Sequence, residues 1–397
     1  MSDDAELMRR VAQVAEAHRT RTGTEALIYQ APGRVNLLGE HTDYSGGFCM
    51  PAALSFNTLV AISPRQDDQL SMHSLDFGES FTIDREALKH PAPLPLGGHW
   101  SSYGAGVAWS LGQSGIPFAG ADLTLAGNVP LSAGLSSSAS FEVATATALL
   151  ALANATMGKP QIALACQRAE NEYVGAPSGI MDQYIAVSGV RGNALAIDTR
   201  ALTSELAPIP ETLRLVVCNS MVQHSNADGE YGARRREVEE AAHALALGNP
   251  AMKQLRDATL DDLVAARGEM SETAFLRARH VITDSQRVLD GVARLRAGDA
   301  KGFGALMTAA HVSYRDDFGA SCERCDLLVR LAMEHEGCLG SRLTGGGFGG
   351  CTVSLVDRDA ATVFASEMRV RYLVETGVTA DVFVCEIADG AGPVEQI

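Results

Sequence analysis

The 397-residue sequence lacks the excess of basic residues that proteins use to bind polyanions. It contains 32 Lys and Arg against 48 Asp and Glu, which gives a formal net charge of −16 at pH 7. Nucleic acids and anionic membrane surfaces are bound through basic faces, so we expect neither as the main partner. A small anionic substrate is not excluded, because a few local cations and helix N-termini can outweigh the overall field.

Long apolar runs are also missing. No stretch approaches the roughly 20 consecutive apolar residues that span a bilayer. The first ten residues, MSDDAELMRR, are acidic and then basic, and no apolar segment typical of a secretory signal follows them. We therefore expect a cytoplasmic protein without a membrane partner, and we expect a monomer.

The eight cysteines lack the spacing of a zinc site. Cys322 and Cys325 form one CxxC, but a zinc site of this kind needs a second pair or histidines at ligand spacing, and none is near in the sequence. Cys218 and Cys385 lie inside apolar, strand-like runs, where a free cysteine behaves as a small hydrophobic residue. We expect reduced thiols and no metal at these positions.

The sequence does contain short β-like runs mixed with helical patterns, without strict βαβ alternation. The opening segment has apolar residues at helical spacing, and residues 161–174 and 303–317 also predict helices. The pattern changes near residues 201–210, after which helices dominate. The mixture predicts an α+β protein of two lobes, residues 1–205 and 206–397, with a last strand that could return to the first lobe.

A glycine-serine loop runs directly into a long Ala-rich helix at PLSAGLSSSAS, residues 130–140. Unpaired N–H groups and the positive end of the helix dipole make a helix start an anion site, and small residues let the backbone approach a ligand. The loop lacks the spacing and the lysine of a Walker A motif. A serine N-cap is the alternative interpretation, but one serine suffices for a cap and three are present.

Two further segments carry candidate groups for chemistry. Five glycines within residues 345–350 surround one Phe, and they either form a flexible turn or cover phosphates. Taken alone, Glu170 is typical of a solvated helix face. Asp182, taken alone, is typical of an acid in the first turn of a helix. Phosphoryl transfer needs a carboxylate near the acceptor hydroxyl and oxygen ligands for Mg²⁺, but spacing alone does not show that these groups converge.

Three segments taken together resemble the three motifs of the GHMP small-molecule kinases, in order and spacing. They are APGRVNLLGEHTDYSGGF, GNVPLSAGLSSSASFEVA and GSRLTGGGFGGCTVSL. The first, through its Glu–His–Thr–Asp run, is similar to the signature of galactokinases. The resemblance extends from about residue 30 to 357. It implies a two-lobed GHMP-kinase fold with mixed and antiparallel sheets, helices, and an active site in the cleft between the lobes.

The resemblance implies an ATP-dependent phosphorylation of D-galactose at the C1 hydroxyl to galactose 1-phosphate, the first step of galactose metabolism by the Leloir route. Its cofactors would be ATP and Mg²⁺. Asp182 matches the base, and Arg34 matches the residue that holds Asp182 ionised and stabilises the transferred phosphoryl group. Because a neighbouring cation lowers the pKa of a carboxylate, the extent of proton transfer before attack stays open.

The resemblance also assigns binding residues, in three groups. The residues that contact the sugar would be Glu40, His41, Asp43, Gly179, Asp182 and Tyr231. The nucleotide would be held by Ser132, Ala133, Gly134, Leu135, Ser136, Ser137 and Ser138, with Trp100 and Tyr103 lining the adenine pocket. The Mg²⁺ ligands would be Ser138 and Glu170. Two positions depart from the family pattern, Ser45 in place of Asn and Ser132 in place of glycine.

Two alternatives are compatible with the same motifs. One is a kinase for a relative of galactose, such as galactosamine, N-acetylgalactosamine, arabinose or galacturonate, because one substituent in a pocket changes selectivity by only about 1–3 kcal/mol. The other is a sugar sensor that binds galactose and ATP without turnover. The intact GLSSSAS loop, Arg34 and Asp182 argue against a sensor.

Overall fold

The computed structural model describes residues 3–88, 99–116, 120–131, 133–222 and 227–394. Its strands, numbered in chain order, are β1 Leu27–Leu38, β2 Phe48–Pro64, β3 Gln69–Ser74, β4 Glu79–Asp84, β5 Ala121–Gly127, β6 Asn193–Asp198, β7 Thr203–Pro208, β8 Leu213–Asn219, β9 Cys338–Thr344, β10 Cys351–Asp357, β11 Asp381–Cys385 and β12 Gly392–Pro393.

The helices surround these strands. They are α1 Asp3–Thr22, α2 Arg85–Leu88, α3 Trp100–Gln113, α4 Ser137–Leu152, α5 Lys159–Arg168, α6 Met181–Ser188, α7 Ala227–Gly248, α8 Leu260–Ala265, α9 Glu272–Arg296, α10 Ala300–Ser313, α11 Glu323–Met333 and α12 Ala361–Thr376. Two π-helical turns, Ala169–Val174 and Tyr314–Phe318, extend α5 and α10.

The strands form two sheets. The larger has the order β12-β1-β2-β5-β3-β4, with β6 paired to the start of β2 and β7 paired to β6. It is mixed, because β3 and β5 run parallel and its other pairs are antiparallel. The smaller sheet, β11-β8-β10-β9, is antiparallel throughout. The α+β class with mixed and antiparallel sheets is confirmed, while the division at residue 205 stays a prediction.

The structure differs from the sequence-based expectation in several places. The segments ALIYQ and RVNLL form one strand, β1, whose pairing with β2 shifts register between Pro32 and Arg34. Such a shift interrupts the alternation that marks a continuous strand. The helix predicted for residues 161–174 ends at Arg168 and continues as a π-helical turn, a feature frequent at functional sites.

One apolar cluster packs the two sheets against each other. Leu37 and Leu54 of the larger sheet share this cluster with Val217 of the smaller sheet and with Phe303 of α10. All four side chains are buried. Because this core fixes the sheets relative to each other, loops at its edge can hold groups from both lobes at set distances.

Helix α10 lies directly on strand β9, with glycine on both sides of the contact. A Cβ atom added to Gly304 would lie 2.1 Å from the carbonyl oxygen of Leu339, and one added to Gly340 would lie 2.1 Å from that of Gly304. The backbone therefore occupies the space that side chains would need. This contact fixes the distance between α10 and β9, the strand that leads into the glycine-rich segment at residues 345–350.

We predict that Gly304→Ala lowers the free energy of unfolding by about 1–3 kcal/mol, the usual effect of overpacking. The matched control is Gly112→Ala, also within a helix, where an added Cβ meets no atom of the described residues within 4 Å. Alanine is the better helix former, so this control is expected to be neutral or stabilising by up to about 1 kcal/mol. Urea unfolding of both variants measures the difference, and equal effects would contradict the close contact.

Candidate active site

Two adjoining cavities lie where β1, α3, α4, α6 and the glycine-rich segment meet. The first, about 570 Å³, is lined by Arg34, Glu40, His41, Asp43, Tyr103, residues 174–179, Met181, Asp182, Tyr231 and residues 345–347. The second, about 510 Å³, is lined by Thr58, Ser74, Asp76, Phe77, His99, Trp100, Tyr103, Leu125, Gly127, Val129, Leu131, Ser137, Ser138 and Phe141. Tyr103 lines both cavities, so they are neighbours.

A bidentate ion pair joins Arg34 on β1 to Asp182 in the first turn of α6. Arg34 Nε donates to Asp182 Oδ1 at 2.7 Å, and Nη2 donates to Oδ2 at 2.6 Å. The third guanidinium nitrogen, Nη1, donates to the carbonyl oxygen of Gly134 at 2.5 Å. The hydroxyl of Ser136 also donates to Asp182 Oδ2. Three distant segments of the chain therefore meet at one carboxylate.

The charge on Arg34 is secured by the groups around it. Burial acts to lower the pKa of its guanidinium, but the carboxylates of Asp182, Glu40 and Asp43 outweigh burial and raise that pKa. A buried guanidinium held by carboxylates stays protonated. The first cavity therefore has a fixed positive charge beside Asp182.

Glu40 is held by a buried network of hydrogen bonds next to the first cavity. Its Oε2 accepts from Arg342 Nη2 at 2.9 Å and from Asn36 Nδ2 at 3.1 Å, and its Oε1 accepts from the backbone N–H of Gly345 at 2.9 Å. Arg342 is 0% exposed. Burial raises the pKa of Glu40 to about 7, although the guanidinium groups of Arg342 and Arg34 oppose the shift.

His41 is held as a neutral ring. Its Nδ1 lies 3.0 Å from the hydroxyl of Tyr44, and its Nε2 lies 3.0 Å from the hydroxyl of Tyr314. The ring centroid is 5.0 Å from that of Tyr231. Burial lowers the pKa of His41 to about 3, with a further contribution from neighbouring His280. The imidazole can therefore donate at one nitrogen and accept at the other.

Asp43 and Gly179 are in direct contact across the cavity. A Cβ on Gly179 would lie 1.7 Å from Asp43 Oδ2, so a larger residue would displace the Asp43 carboxylate. The same oxygen accepts from the backbone N–H of Met181 at 3.2 Å, and Oδ1 accepts from that of Tyr44 at 3.0 Å. Burial raises the pKa of Asp43, and the N–H of Met181 opposes this. The first motif and the start of α6 are thus packed together.

Ser136, the first of the three consecutive serines, does not cap helix α4 through its side chain. Ser136 occupies the N-cap of α4, but its side chain makes no capping hydrogen bond and bonds to Asp182 instead. Its φ of 59° lies in the left-handed region, as do those of His41 (57°) and Phe348 (62°). Each of the three motifs therefore holds one non-glycine residue in a conformation that costs energy, a feature that clusters at ligand sites.

Glu170, in the π-helical turn after α5, is buried near the start of α4. Its Oε2 accepts from the hydroxyl of Ser178 at 2.6 Å and from Gln183 Nε2 at 2.7 Å. A further hydrogen bond comes from Ser138. Burial raises the pKa of Glu170, and the bonds from Ser178, Gln183 and Ser138 oppose the rise. A hydroxyl and a carboxylate thus lie together beside the second cavity.

The second cavity is walled by aromatic rings. Trp100 stacks on Phe77 and lies at a tilt to Phe141, with ring centroids 6.3 Å apart in each pair. Its Nε1 donates to Glu79 at 3.0 Å, which fixes the indole. A flat, apolar wall next to a helix start suits a molecule with an aromatic base and a phosphate tail.

Most residues named from the sequence lie together in this region. Glu40, His41, Asp43, Tyr231, Gly179, Asp182 and Arg34 line the first cavity, and Trp100, Ser137 and Ser138 line the second. Ala133 and Leu135 are buried and are not among the residues that line the two cavities, and the carbonyl of Leu135 accepts from the backbone N–H of Arg34 at 3.0 Å. Ser132 lies outside the described residues. Ser45 is buried and lines neither cavity.

Several residues of the site were missed in the sequence. They are Glu142, Ser178, Gln183, Asp284, Tyr314 and Arg342. Arg342 offered a signal, because a charged residue between buried β9 positions needs a partner. Asp284 is 0% exposed, lies 3.7 Å from Arg342, and accepts the backbone N–H groups of Gly39 and Glu40. Its place in a helix far along the chain gave no such signal.

Comparison with known proteins defines the class first. A model of the GHMP kinases N terminal domain matches residues 103–190, and one of the GHMP kinases C terminal region matches residues 292–372. The chain is therefore a GHMP kinase, and its mixed α and β fold agrees with that class. A third model, the galactokinase galactose-binding signature, matches residues 16–64.

Individual relatives define the family. The chain is 42% identical to a galactokinase of Roseiflexus sp. (strain RS-1), covering 99% of this chain and 98% of the relative, and 40% identical to human (Homo sapiens) galactokinase, covering 96% of each. The crystal structure of Lactococcus lactis galactokinase complexed with galactose matches with a TM-score of 0.92 at 29% identity, covering 97% of this chain and all of that structure. The chain belongs to the galactokinase family and is an enzyme. The resemblance predicted from the motifs is confirmed.

Among the residues that the structure describes, no helix has the length and apolarity required to cross a membrane. The expected location of the protein and its expected monomeric state stay predictions.

We predict that Arg342→Met lowers the free energy of unfolding by about 3–5 kcal/mol, because it removes the cation paired with the buried carboxylate of Glu40 and one of the two cations near Asp284, which keeps Arg287. The control is Arg330→Met, which removes an exposed pair with Glu334, four residues further along the chain. Such a pair contributes about 0.3–0.5 kcal/mol. Urea unfolding measures both. A small effect of Arg342→Met would show that the buried network does not stabilise the fold.

We also predict a signature of His41 in the pH dependence of stability. Its pKa in the folded protein is about 3, against 6.5 in the unfolded chain, so the unfolded chain binds the extra proton between these values. The contribution is complete above pH 6.5 and is lost as the pH falls toward 3. Between pH 7 and 5 the wild type should lose about 2 kcal/mol more stability than His41→Asn. Parallel stability curves for the two proteins would contradict a neutral, buried His41.

Proposed function

We propose that this protein transfers the γ-phosphoryl group of ATP to the C1 hydroxyl of D-galactose. The observation that carries this proposal is the bidentate Arg34–Asp182 pair, which lines the first cavity. Asp182 is also bonded to Ser136, in the loop that leads into the helix beside the second cavity. A site for phosphoryl transfer needs two ligands side by side with a carboxylate and a cation between them.

The sugar binds in the first cavity. A hexose presents hydroxyl groups in fixed directions, and each can donate and accept. Glu40 and Asp43 supply acceptors, and Tyr231 supplies a hydroxyl group. Glu40 and His41 are anchored from below by Arg342 and Tyr314, so little freedom is lost when the sugar binds. The related structure, a galactokinase complexed with galactose, supports galactose as the sugar.

ATP binds along the second cavity. Its base lies among the rings around Trp100, and its phosphates point to the start of α4. The side chain of Ser136 is engaged with Asp182, so the first N–H groups of α4 are left for phosphate oxygens. Gly134 has a φ of 75°, which favours glycine, and this conformation lets the loop come close to the nucleotide.

Ser138 and Glu170 fit Mg²⁺ as ligands. Both donors are oxygen, which this cation prefers, and among the described residues no group of three or more His, Cys, Asp or Glu could hold a metal ion. Two protein oxygens suffice for a cation whose other ligands are phosphates and water. When bound, Mg²⁺ neutralises phosphate charge. Glu170 is orientated for this role by Ser178 and Gln183.

Asp182 accepts the proton of the C1 hydroxyl as the oxygen attacks phosphorus. Arg34 occupies one direction at each carboxylate oxygen and stabilises the negative charge of the transferred group. Because Arg34 holds both oxygens of Asp182, the carboxylate also orientates the hydroxyl for attack. The product, galactose 1-phosphate, would begin the Leloir route.

Phosphorus-31 NMR of the purified protein with Mg-ATP and D-galactose tests the proposal. A new sugar 1-phosphate resonance, with ADP in equal amount, is the expected result. The same assay with galactosamine, N-acetylgalactosamine, arabinose and galacturonate, compared by kcat/KM, sets the acceptor. Turnover of one of these without turnover of galactose would move the substrate assignment, and turnover of none would remove the kinase proposal.

We predict that Asp182→Asn lowers kcat by about 10²–10⁴-fold, the usual contribution of a general base, while ATP binding is kept. The matched control is Asp122→Asn on β5, where Asp122 is likewise paired to an arginine through two oxygens and lines neither cavity. The control should retain wild-type kcat. Nucleotide binding is measured by calorimetry. Full activity in Asp182→Asn would exclude Asp182 as the base, and ligand binding without turnover in the wild type would favour a sensor.

A further inference from the structure

Glu142 is a carboxyl group buried inside the protein next to the proposed site. It lies on α4, one turn beyond Ser138, and is 0% exposed. Within the described residues no arginine, lysine or histidine forms an ion pair with it, and its Oε1 has no hydrogen-bond partner. An acid in such a place is costly, because burial without a counter-ion removes its hydration. Burial raises the pKa of Glu142 well above its usual range, and nearby Glu170 adds to the rise.

The one polar contact of Glu142 among the described residues is with Gln183, which is also 0% exposed. Gln183 Nε2 donates to Glu142 Oε2 at 3.1 Å and to Glu170 Oε2 at 2.7 Å. An amide nitrogen has two hydrogens, so both are used. Gln183 therefore bridges two acids, one of them the proposed Mg²⁺ ligand.

This bridge also reaches the proposed base. Gln183 follows Asp182 in the chain, within the first turn of α6. Its side chain points to Glu170 and Glu142, while that of Asp182 points to Arg34. Fixing one side chain of a helical turn limits the rotation of the turn about its axis. The amide contact therefore restrains Asp182 as well as Glu170.

We propose that Glu142 is a positioning residue for the metal side of the site, acting through Gln183 to fix the carboxylate of Glu170. The inference rests on the proposed function, since it assumes that Glu170 and Ser138 bind Mg²⁺. The acceptor oxygen of Glu142 sets the direction of the Gln183 amide. That amide and Ser178 then donate to the same oxygen of Glu170, which fixes the rotation of its carboxylate. Partners that orientate metal ligands typically change metal affinity 10–100-fold when they are removed.

The test compares Glu142→Ala, which removes the acceptor, with Glu142→Gln, which keeps an acceptor oxygen at the same distance along the side chain. The control is Thr145→Val, one turn further along α4, because the hydroxyl of Thr145 is also buried and unpartnered within the described residues. Mn²⁺, as a probe for Mg²⁺, is titrated into each protein in the presence of ADP, and free Mn²⁺ is measured by electron paramagnetic resonance. This readout does not depend on turnover.

We expect Glu142→Ala to bind Mn²⁺ at least tenfold more weakly, and Glu142→Gln and Thr145→Val to stay within about threefold of the wild type. In steady-state kinetics, Glu142→Ala should require more Mg²⁺ for half-maximal rate while its KM for galactose is unchanged. Unchanged Mn²⁺ affinity in Glu142→Ala would overturn the inference. Equal losses in Glu142→Ala and Glu142→Gln, or in Thr145→Val, would overturn it too, because they would indicate general loosening of α4.

Circular dichroism establishes that each variant is folded. If Glu142→Ala does not fold, Gln183→Met decides, because it removes the bridging donor at similar side-chain volume. Tenfold weaker Mn²⁺ binding is then expected, and wild-type binding would overturn the inference. A wild type that neither binds Mn²⁺ nor phosphorylates galactose would overturn the proposed function and this inference with it. A wild type that does both, beside a Glu142→Ala variant with normal Mn²⁺ affinity, would overturn only the inference.

Discussion

The ion pair between Arg34 and Asp182 is the interaction on which the arrangement of the site depends. Arg34 uses the whole guanidinium, donating to both oxygens of Asp182 and to the carbonyl of Gly134. Ser136 completes the junction from the same loop. Strand β1, the start of α4 and the start of α6 are therefore fixed by one planar group. A lysine carries its three donors on a single nitrogen and could not match both carboxylate oxygens with two parallel bonds.

In this site, the residues that face the ligand differ from the buried residues that hold them in position. Asp182, Glu40 and His41 line the first cavity. Arg342 and Tyr314 do not line it, and they hold Glu40 and His41 in place by hydrogen bonds. Burying charged groups of this kind costs free energy, because each charge loses its hydration and needs a paired partner inside the protein. Their benefit is a polar cavity with acceptors set before the ligand arrives, which reduces the entropy lost on binding.

The patterning of the sequence predicted the α+β class and an anion site at one helix start, because those signals are local. The residues expected to line the cavities were assigned by the resemblance to the GHMP kinase motifs. The partners of those residues were not predictable in the same way. Gly179 is required because Asp43, more than a hundred residues away, occupies the space of a side chain. Arg342 and Glu142 owe their importance to burial and contacts that only the folded chain creates.

The left-handed residues show how the three motifs work together. His41, Ser136 and Phe348 each adopt a conformation that a non-glycine residue avoids. Phe348 N–H donates to the carbonyl of Ala320 at 2.6 Å, Ser136 is held by Asp182, and His41 is held by Tyr314. In each case a contact from another segment maintains the strained backbone, so the loops keep their shape only when all segments are in place. The site is therefore assembled by tertiary structure, and a change in one motif should be felt in the other two.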